Sequence, residues 1–126
     1  SAYGNKPALW EDCHTKEDQD RYSLNAFTRM RFCYPDGSLE FQQKLNPTEV
    51  SQSQTELIPW FRYPKRLAIP YTILFGHWST LGYHQEHNVI ALDTGCVWGG
   101  TLTALNIDTK NIIGQACNDY ERREKG

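Results

Sequence analysis

The sequence predicts a mixed α/β chain, with a short helix and a hairpin followed by antiparallel strands. Three observations carry that expectation. Tyr22, Ala26 and Met30 recur at helical spacing within a stretch from Asp20 to about Arg29. Met30–Tyr34 and Leu39–Phe41 alternate in polarity about the strong turn Pro35-Asp36-Gly37-Ser38, as a hairpin requires. Two short apolar runs, about 71–76 and 88–93, read as buried strands, each ending in a loop that carries polar groups.

Bulk properties set the frame. A length of 126 residues leaves room for one modest core, and a hydrophobic share of 39% is offset by 13% aromatic content. A net charge of −2 argues against a nucleic-acid binder that works by neutralising phosphates. No apolar run is long enough for a membrane span, and nothing near the start reads as a leader. Cysteines stand at 13, 33, 96 and 117, with no C-x-x-C pair, so a zinc knuckle is not expected. Reduced thiols in a cytoplasmic protein are the expected state. The chain does not begin with methionine, which fits a processed, cloned or truncated piece.

The other elements follow in order. Tyr3-Gly4-Asn5-Lys6-Pro7 is turn chemistry, and residues 11–21 are highly charged and expected at the surface. An adjacent face of the helix carries Leu24 and Phe27. Residues 42–56 are polar and expected as an exposed loop; Leu57–Phe61 re-enters the core, with Pro59 near the start of a helical turn. Thr101–Ile107 alternates with period two, and residues 111–115 add a short further strand. The domains expected are a helical and hairpin cap at 1–66, C-terminal strands at 67–118 and a charged tail at 119–126.

Several groups bear on chemistry. His77 follows Gly76 at a strand end, where an imidazole is able to donate a lone pair to a metal. Asn25, Arg29 and Arg31 gather around the helix; guanidinium groups suit phosphate oxygens, while the blander reading is a solvated surface or a structural ion pair. His84 and His87 are spaced i, i+3, but their loop-like surroundings favour solvated side chains. The 95–100 stretch matches no phosphate-cradling signature, so its glycines are expected to form a sharp turn beside Trp98. Trp10, Trp60, Trp78 and Trp98 are expected as core or pocket walls, and Cys96 is not expected to act as a nucleophile.

Five segments together resemble a known family. Tyr3-Gly-Asn-Lys-Pro7 with Trp10, Asn25–Cys33, Pro59-Trp-Phe61, Phe75-Gly-His-Trp78 and Ala91–Gly100 recur in the order and about the spacing of the symmetrical bis(5′-nucleosyl)-tetraphosphatases. The resemblance is to the C-terminal half of these metallophosphoesterases. It implies part of an α/β/β/α sandwich with a two-metal site at the strand ends. There, two divalent ions, manganese or cobalt, hold a hydroxide that cleaves diadenosine tetraphosphate into two ADP. It maps a metal ligand onto His77 and places the Asp93 loop beside the metals. Asn25, Arg29, Arg31, Asp93 and Trp98 become expected substrate contacts. No catalytic residue falls within these residues.

The family motifs G-D-x-H-G, G-D-x-x-D-R-G and G-N-H-[DE] are absent from the sequence. One imidazole does not hold two metals. The resemblance therefore implies that the missing N-terminal half is a partner, and that the chain alone is inactive and exposes apolar surface. Two alternatives stay open: a phosphoprotein or general phosphomonoester phosphatase of the same superfamily, and a free-standing nucleotide- or protein-binding module.

Overall fold

The computed structural model describes residues 4–53 and 55–118, which form two units, Ser1–Ala68 and Ile69–Gly126. The charged tail expected at 119–126 lies outside the described residues.

In the first unit, helix α1 spans Lys16–Arg29. It starts earlier than apolar spacing suggests, because its first turns are built by polar groups. The Thr15 hydroxyl accepts the Asp18 amide at 3.1 Å, Glu17 and Asp18 sit at the positive end of the helix dipole, and Lys16–Asp20 and Glu17–Arg21 pair at i, i+4. Tyr22, Ala26 and Met30 pack against the buried cluster of Cys33, Leu39 and Phe41. Leu24 and Phe27 face solvent instead, Phe27 at 89% exposure.

Strands β1 (Phe32–Cys33) and β2 (Leu39–Glu40) form the antiparallel hairpin, in register Phe32↔Glu40 and Cys33↔Leu39. The Gly37 amide donates to the Tyr34 carbonyl at 2.8 Å, and the Asp36 carboxylate accepts the Ser38 amide at 2.8 Å, closing the turn. Strand β3 (Ile58–Pro59) pairs with the other edge of β1, giving the order β2-β1-β3. The expected loop at 42–56 instead contains helix α2 (Pro47–Gln52). Asn46 caps it by accepting the Glu49 amide at 2.9 Å, Pro47 opens it, and Val50 is buried. A 3-10 turn at Trp60–Arg62 follows Pro59.

In the second unit, strands β4 (Ile73–Phe75), β5 (His84–Glu86) and β6 (Val89–Ala91) form a sheet in the order β4-β6-β5. The expectation of antiparallel strands needs correction here. β4 and β6 run parallel, register Ile73↔Val89 to Phe75↔Ala91, and only β5 meets β6 antiparallel. The intervening segment crosses over and contributes β5, so a region expected as a loop is partly strand. β6 is fully buried, whereas β4 is not, since Leu74 faces solvent.

Strands β7 (Thr101–Leu105) and β8 (Ile112–Ala116) form a separate antiparallel hairpin. The alternation expected in β7 is present, but Thr101, Thr103 and Leu105 are the half-buried set, and Leu102 is exposed. All of β8 is exposed. The thiol expectation is also corrected: Cys96 and Cys117 form a disulfide with Cα atoms 5.3 Å apart, leaving Cys13 and Cys33 as buried free thiols. Pairing of β7 with β8 folds the chain back so that the Cys117 amide donates to the Gly100 carbonyl, bringing two distant cysteines together. Among the described residues no helix is long and apolar enough to cross a membrane.

Candidate functional site

The parallel pairing of β4 and β6 is what assembles the candidate site. Parallel strands leave the sheet in the same direction, so the segments after Phe75 and Ala91 emerge at one end. The Leu92 amide donates to the Phe75 carbonyl at 3.0 Å, extending the register one step beyond the strands. Gly76 and Asp93 then lie side by side: a β-carbon on Gly76 would stand 3.9 Å from that of Asp93. A shallow depression of about 360 Å³ sits at this end, lined by Leu74, Phe75, Gly76, Leu92 and Asp93.

His77 follows at the rim. It is exposed, and its φ of 71° places it in the left-handed region, which histidine tolerates better than most residues. Gly76 lacks a positive φ, so the backbone freedom expected of the glycine is exercised by the histidine itself. Asp93 is half-buried, and one of its carboxylate oxygens accepts the Gly95 amide at 3.0 Å. That bond shapes the turn leading into the 3-10 segment Cys96–Trp98, which is bracketed by Gly95 and Gly99 at φ of 79° and 88°. Trp98 is half exposed on this segment, not a core wall, whereas Trp78 is buried. Thr94 anchors the turn from below, through its hydroxyl to the Thr101 carbonyl and to the Thr103 hydroxyl at 2.6 Å.

The depression offers apolar walls and one carboxylate, with no cationic side chain in its lining. Among the described residues no group of three His, Cys, Asp or Glu side chains is placed to hold a metal ion. His77 supplies one imidazole and Asp93 one carboxylate already engaged with backbone, so the donor set does not fit a two-metal centre by itself.

The arginine group belongs to the first unit and is not a solvated surface. Asn25 is buried; its amide donates to the Gly4 carbonyl at 2.8 Å, and its oxygen accepts from Arg29 at 3.0 Å. Arg29 also donates to the Asn5 side chain at 3.0 Å and lies 4.7 Å over the Phe41 ring. Asn25 and Arg29 thus clasp the 4–5 segment to the end of α1. Arg31 stands apart, buried at 9% exposure with its Nε unsatisfied.

His84 and His87 meet on one carboxylate. His84 and Glu86 share a strand face, as residues i and i+2 must, and contact at 2.6 Å; His87, exposed, approaches the other Glu86 oxygen at 3.8 Å. The i, i+3 spacing reflects a strand and its turn and gives no helical metal pair. Cys96, bonded to Cys117, has no thiol to act as a nucleophile.

No family model matches the chain. Comparison with curated proteins is more informative. The chain is 49% identical over 113 residues to the symmetrical bis(5′-nucleosyl)-tetraphosphatase of Vibrio campbellii, and 49% identical over 114 residues to that of Vibrio cholerae. It is 44% identical over 119 residues to the Bordetella pertussis protein of the same name.

The chain is similar to part of the symmetrical bis(5′-nucleosyl)-tetraphosphatases.

These alignments take in 90% to 94% of the chain but only 41% to 42% of each relative. The chain therefore spans about two fifths of the length of the tetraphosphatases it matches. An alignment of 113 residues reaches into both compact units, so the likeness rests on neither alone. Of the residues expected from the tetraphosphatase pattern, the structure brings His77 and Asp93 to one sheet end, with Trp98 on the turn that follows. It gathers Asn25, Arg29 and Arg31 in a different unit. The clasp made by Asn25 and Arg29 was missed from sequence. Its signal was present in the i, i+4 spacing of the two residues, but their partners, Gly4 and Asn5, lie more than twenty positions away.

Proposed function

We propose that this chain is the C-terminal part of a metal-dependent hydrolase that cleaves diadenosine tetraphosphate symmetrically into two ADP. The observation that carries this reading is 49% identity over nine tenths of the chain to proteins bearing that activity in their name. The sheet end agrees with it, because a histidine and an aspartate emerge together beside a depression.

His77 is the residue of this chain that we assign to a divalent metal ion, manganese or cobalt in a two-ion site. The other ligands come from polypeptide outside these residues, as the relatives' greater length allows. That polypeptide completes the α/β/β/α sandwich, and the exposed Leu102, Ile112 and Ile113 of the β7–β8 hairpin are apolar surface suited to packing against it. Asp93 and Trp98 line the substrate side of the β6 end, and Asn25 and Arg29 contribute by fixing the segment around Arg31. The chain alone is inactive on this reading.

Product analysis tests it. A longer polypeptide carrying these residues, incubated with diadenosine tetraphosphate and manganese, is expected to yield ADP as the only nucleotide. The 126-residue chain alone is expected to yield none. ATP with AMP in equal amounts, or turnover by the chain alone, contradicts the proposal.

A further inference from the structure

One side chain closes the neck of the glycine-rich loop at 95–100. Both backbone groups of Thr101 are met by Thr94: the Thr101 amide donates to the Thr94 carbonyl at 3.1 Å, and the Thr94 hydroxyl donates to the Thr101 carbonyl. A hydroxyl has a single proton to give. In the 2.6 Å contact between the Thr94 and Thr103 hydroxyls, Thr103 is therefore the donor. The chain of bonds runs from Thr103 through Thr94 to the Thr101 carbonyl. All three threonines are half-buried, where an unmet polar group is costly.

This neck governs the polar groups of the sheet end. The Thr94 carbonyl and the Gly95 amide belong to one rigid peptide unit. Its oxygen is held by the Thr101 amide, so its N–H is aimed, and it donates to one Asp93 oxygen at 3.0 Å. Farther along, the Gly95 carbonyl accepts the Trp98 and Gly100 amides at 2.9 Å each, which fixes the turn that carries the half-exposed Trp98. Asp93 lines the depression, and Thr94 stands behind it without lining it. The Cys96–Cys117 bond staples the far side of the loop to the end of β8, while the threonine chain ties the near side to β7.

We propose that Thr94 is a positioning residue for substrate binding. Its hydroxyl, oriented by Thr103, holds the 94–95 peptide so that the Asp93 carboxylate and the Trp98 ring stand where a nucleoside polyphosphate meets them. This rests on the function proposed above, which gives Asp93 and Trp98 their substrate. Neither of those two is assigned to a metal ion or to the attacked phosphorus. Misalignment therefore weakens binding of substrate and transition state alike, which raises KM and leaves kcat in place.

Steady-state kinetics of a longer polypeptide carrying these residues, on diadenosine tetraphosphate with manganese, test this. Thr94→Val keeps the shape and removes the hydroxyl; KM is expected to rise at least about tenfold, with kcat within about twofold of wild type. Thr94→Ser keeps the hydroxyl and is expected to stay within about twofold in both constants. An unchanged KM in Thr94→Val, a fall confined to kcat, or equal losses in the two variants overturns the proposal. A lower melting temperature with KM unchanged marks a structural role and overturns it as well. Should Thr94→Val fail to fold, Thr103→Val, which removes the donor to Thr94, is judged by the same split between KM and kcat. A second readout needs neither metal nor turnover. The indole N–H resonance of Trp98 in the 126-residue chain is expected to shift in Thr94→Val and to stay in place in Thr94→Ser. A resonance unmoved in Thr94→Val overturns the assignment. Absence of ADP from the wild-type longer polypeptide contradicts the hydrolytic reading and leaves the Trp98 resonance to decide the positioning. Normal product with KM unmoved in the variant contradicts the positioning alone.

Discussion

The amide of Leu92 donates to the carbonyl of Phe75 at 3.0 Å, and that bond carries the parallel register of β4 and β6 past the last paired residues. It sets Gly76 against Asp93 and delivers His77 to the rim of the same sheet end. Active residues commonly collect where parallel strands end, because loops there are free to vary while the sheet holds their roots.

The backbone at this end has a measurable cost. With φ at 71°, His77 occupies a conformation that disfavours any residue bearing a β-carbon by about 1–2 kcal/mol. His77→Gly is expected to relieve that backbone cost, with the gain offset by the greater freedom of unfolded glycine and by loss of the interactions His77 makes, for a net change within about 1 kcal/mol. Chemical denaturation of the two chains measures this. A clear loss of stability would mean that the imidazole itself supports the fold.

The two glycines flanking the site respond oppositely to a methyl group. At Gly76 a β-carbon meets only the Asp93 β-carbon at ordinary contact distance, so Gly76→Ala is expected to be nearly neutral. At Gly100 it collides with the Thr94 carbonyl and comes within 2.9 Å of the Gly95 carbonyl, both backbone atoms that hold the turn. Gly100→Ala is expected to destabilise by about 1–3 kcal/mol, read from urea midpoints.

Removing the clasp at the other unit tests whether Asn25 is structural. Asn25→Ala strips the acceptor from Arg29 and the donor from the Gly4 carbonyl, in a buried setting. A loss of about 1–3 kcal/mol is expected, with faster amide exchange around residues 4–5.

Pairing of Cys96 with Cys117 closes a loop of 21 residues. Alkylation of the denatured, unreduced chain is expected to modify two cysteines, Cys13 and Cys33, and four after reduction. Cys117→Ser is expected to destabilise the second unit by about 3 kcal/mol, relative to the oxidised chain.

Alkaline pH acts on the first unit. Burial, with a smaller contribution from Asp36, pushes the Cys33 thiol up to about 11. An unfolded cysteine ionises near about 8.5, so the folded form holds the proton more tightly. The stability this group contributes is complete below that value and is lost as pH rises through 11. Urea midpoints are expected to fall across that window. Cys33→Ala is expected to shallow the fall, and Tyr22, also pushed up by burial, to sustain part of it.

Local chemistry explains which elements were legible in the sequence. The hairpin declared itself through Pro35-Asp36-Gly37-Ser38, and the inward stripe of α1 through Tyr22, Ala26 and Met30. The first turn of α1 did not, because it is held by Thr15 and by i, i+4 charge pairs that carry no apolar signal. Helix α2 was hidden in the same way: a cap, a proline and the single buried Val50 define it. The parallel sense of β4 and β6 is a matter of crossover topology, which no window of adjacent residues records. At the site, the resemblance singled out His77 and Asp93 and the structure brings them to one sheet end, while the grip of Thr94 depends on where β7 returns Thr101 and Thr103.

The most direct test of the account is the turnover number of His77→Ala in a longer polypeptide that carries these residues, measured on diadenosine tetraphosphate with folding verified by its melting curve. Loss of a neighbour that merely supports a metal ligand typically costs about 10–100-fold, so loss of the ligand is expected to cost more than about 100-fold. Wild-type turnover in that variant would remove His77 from the site and contradict the account.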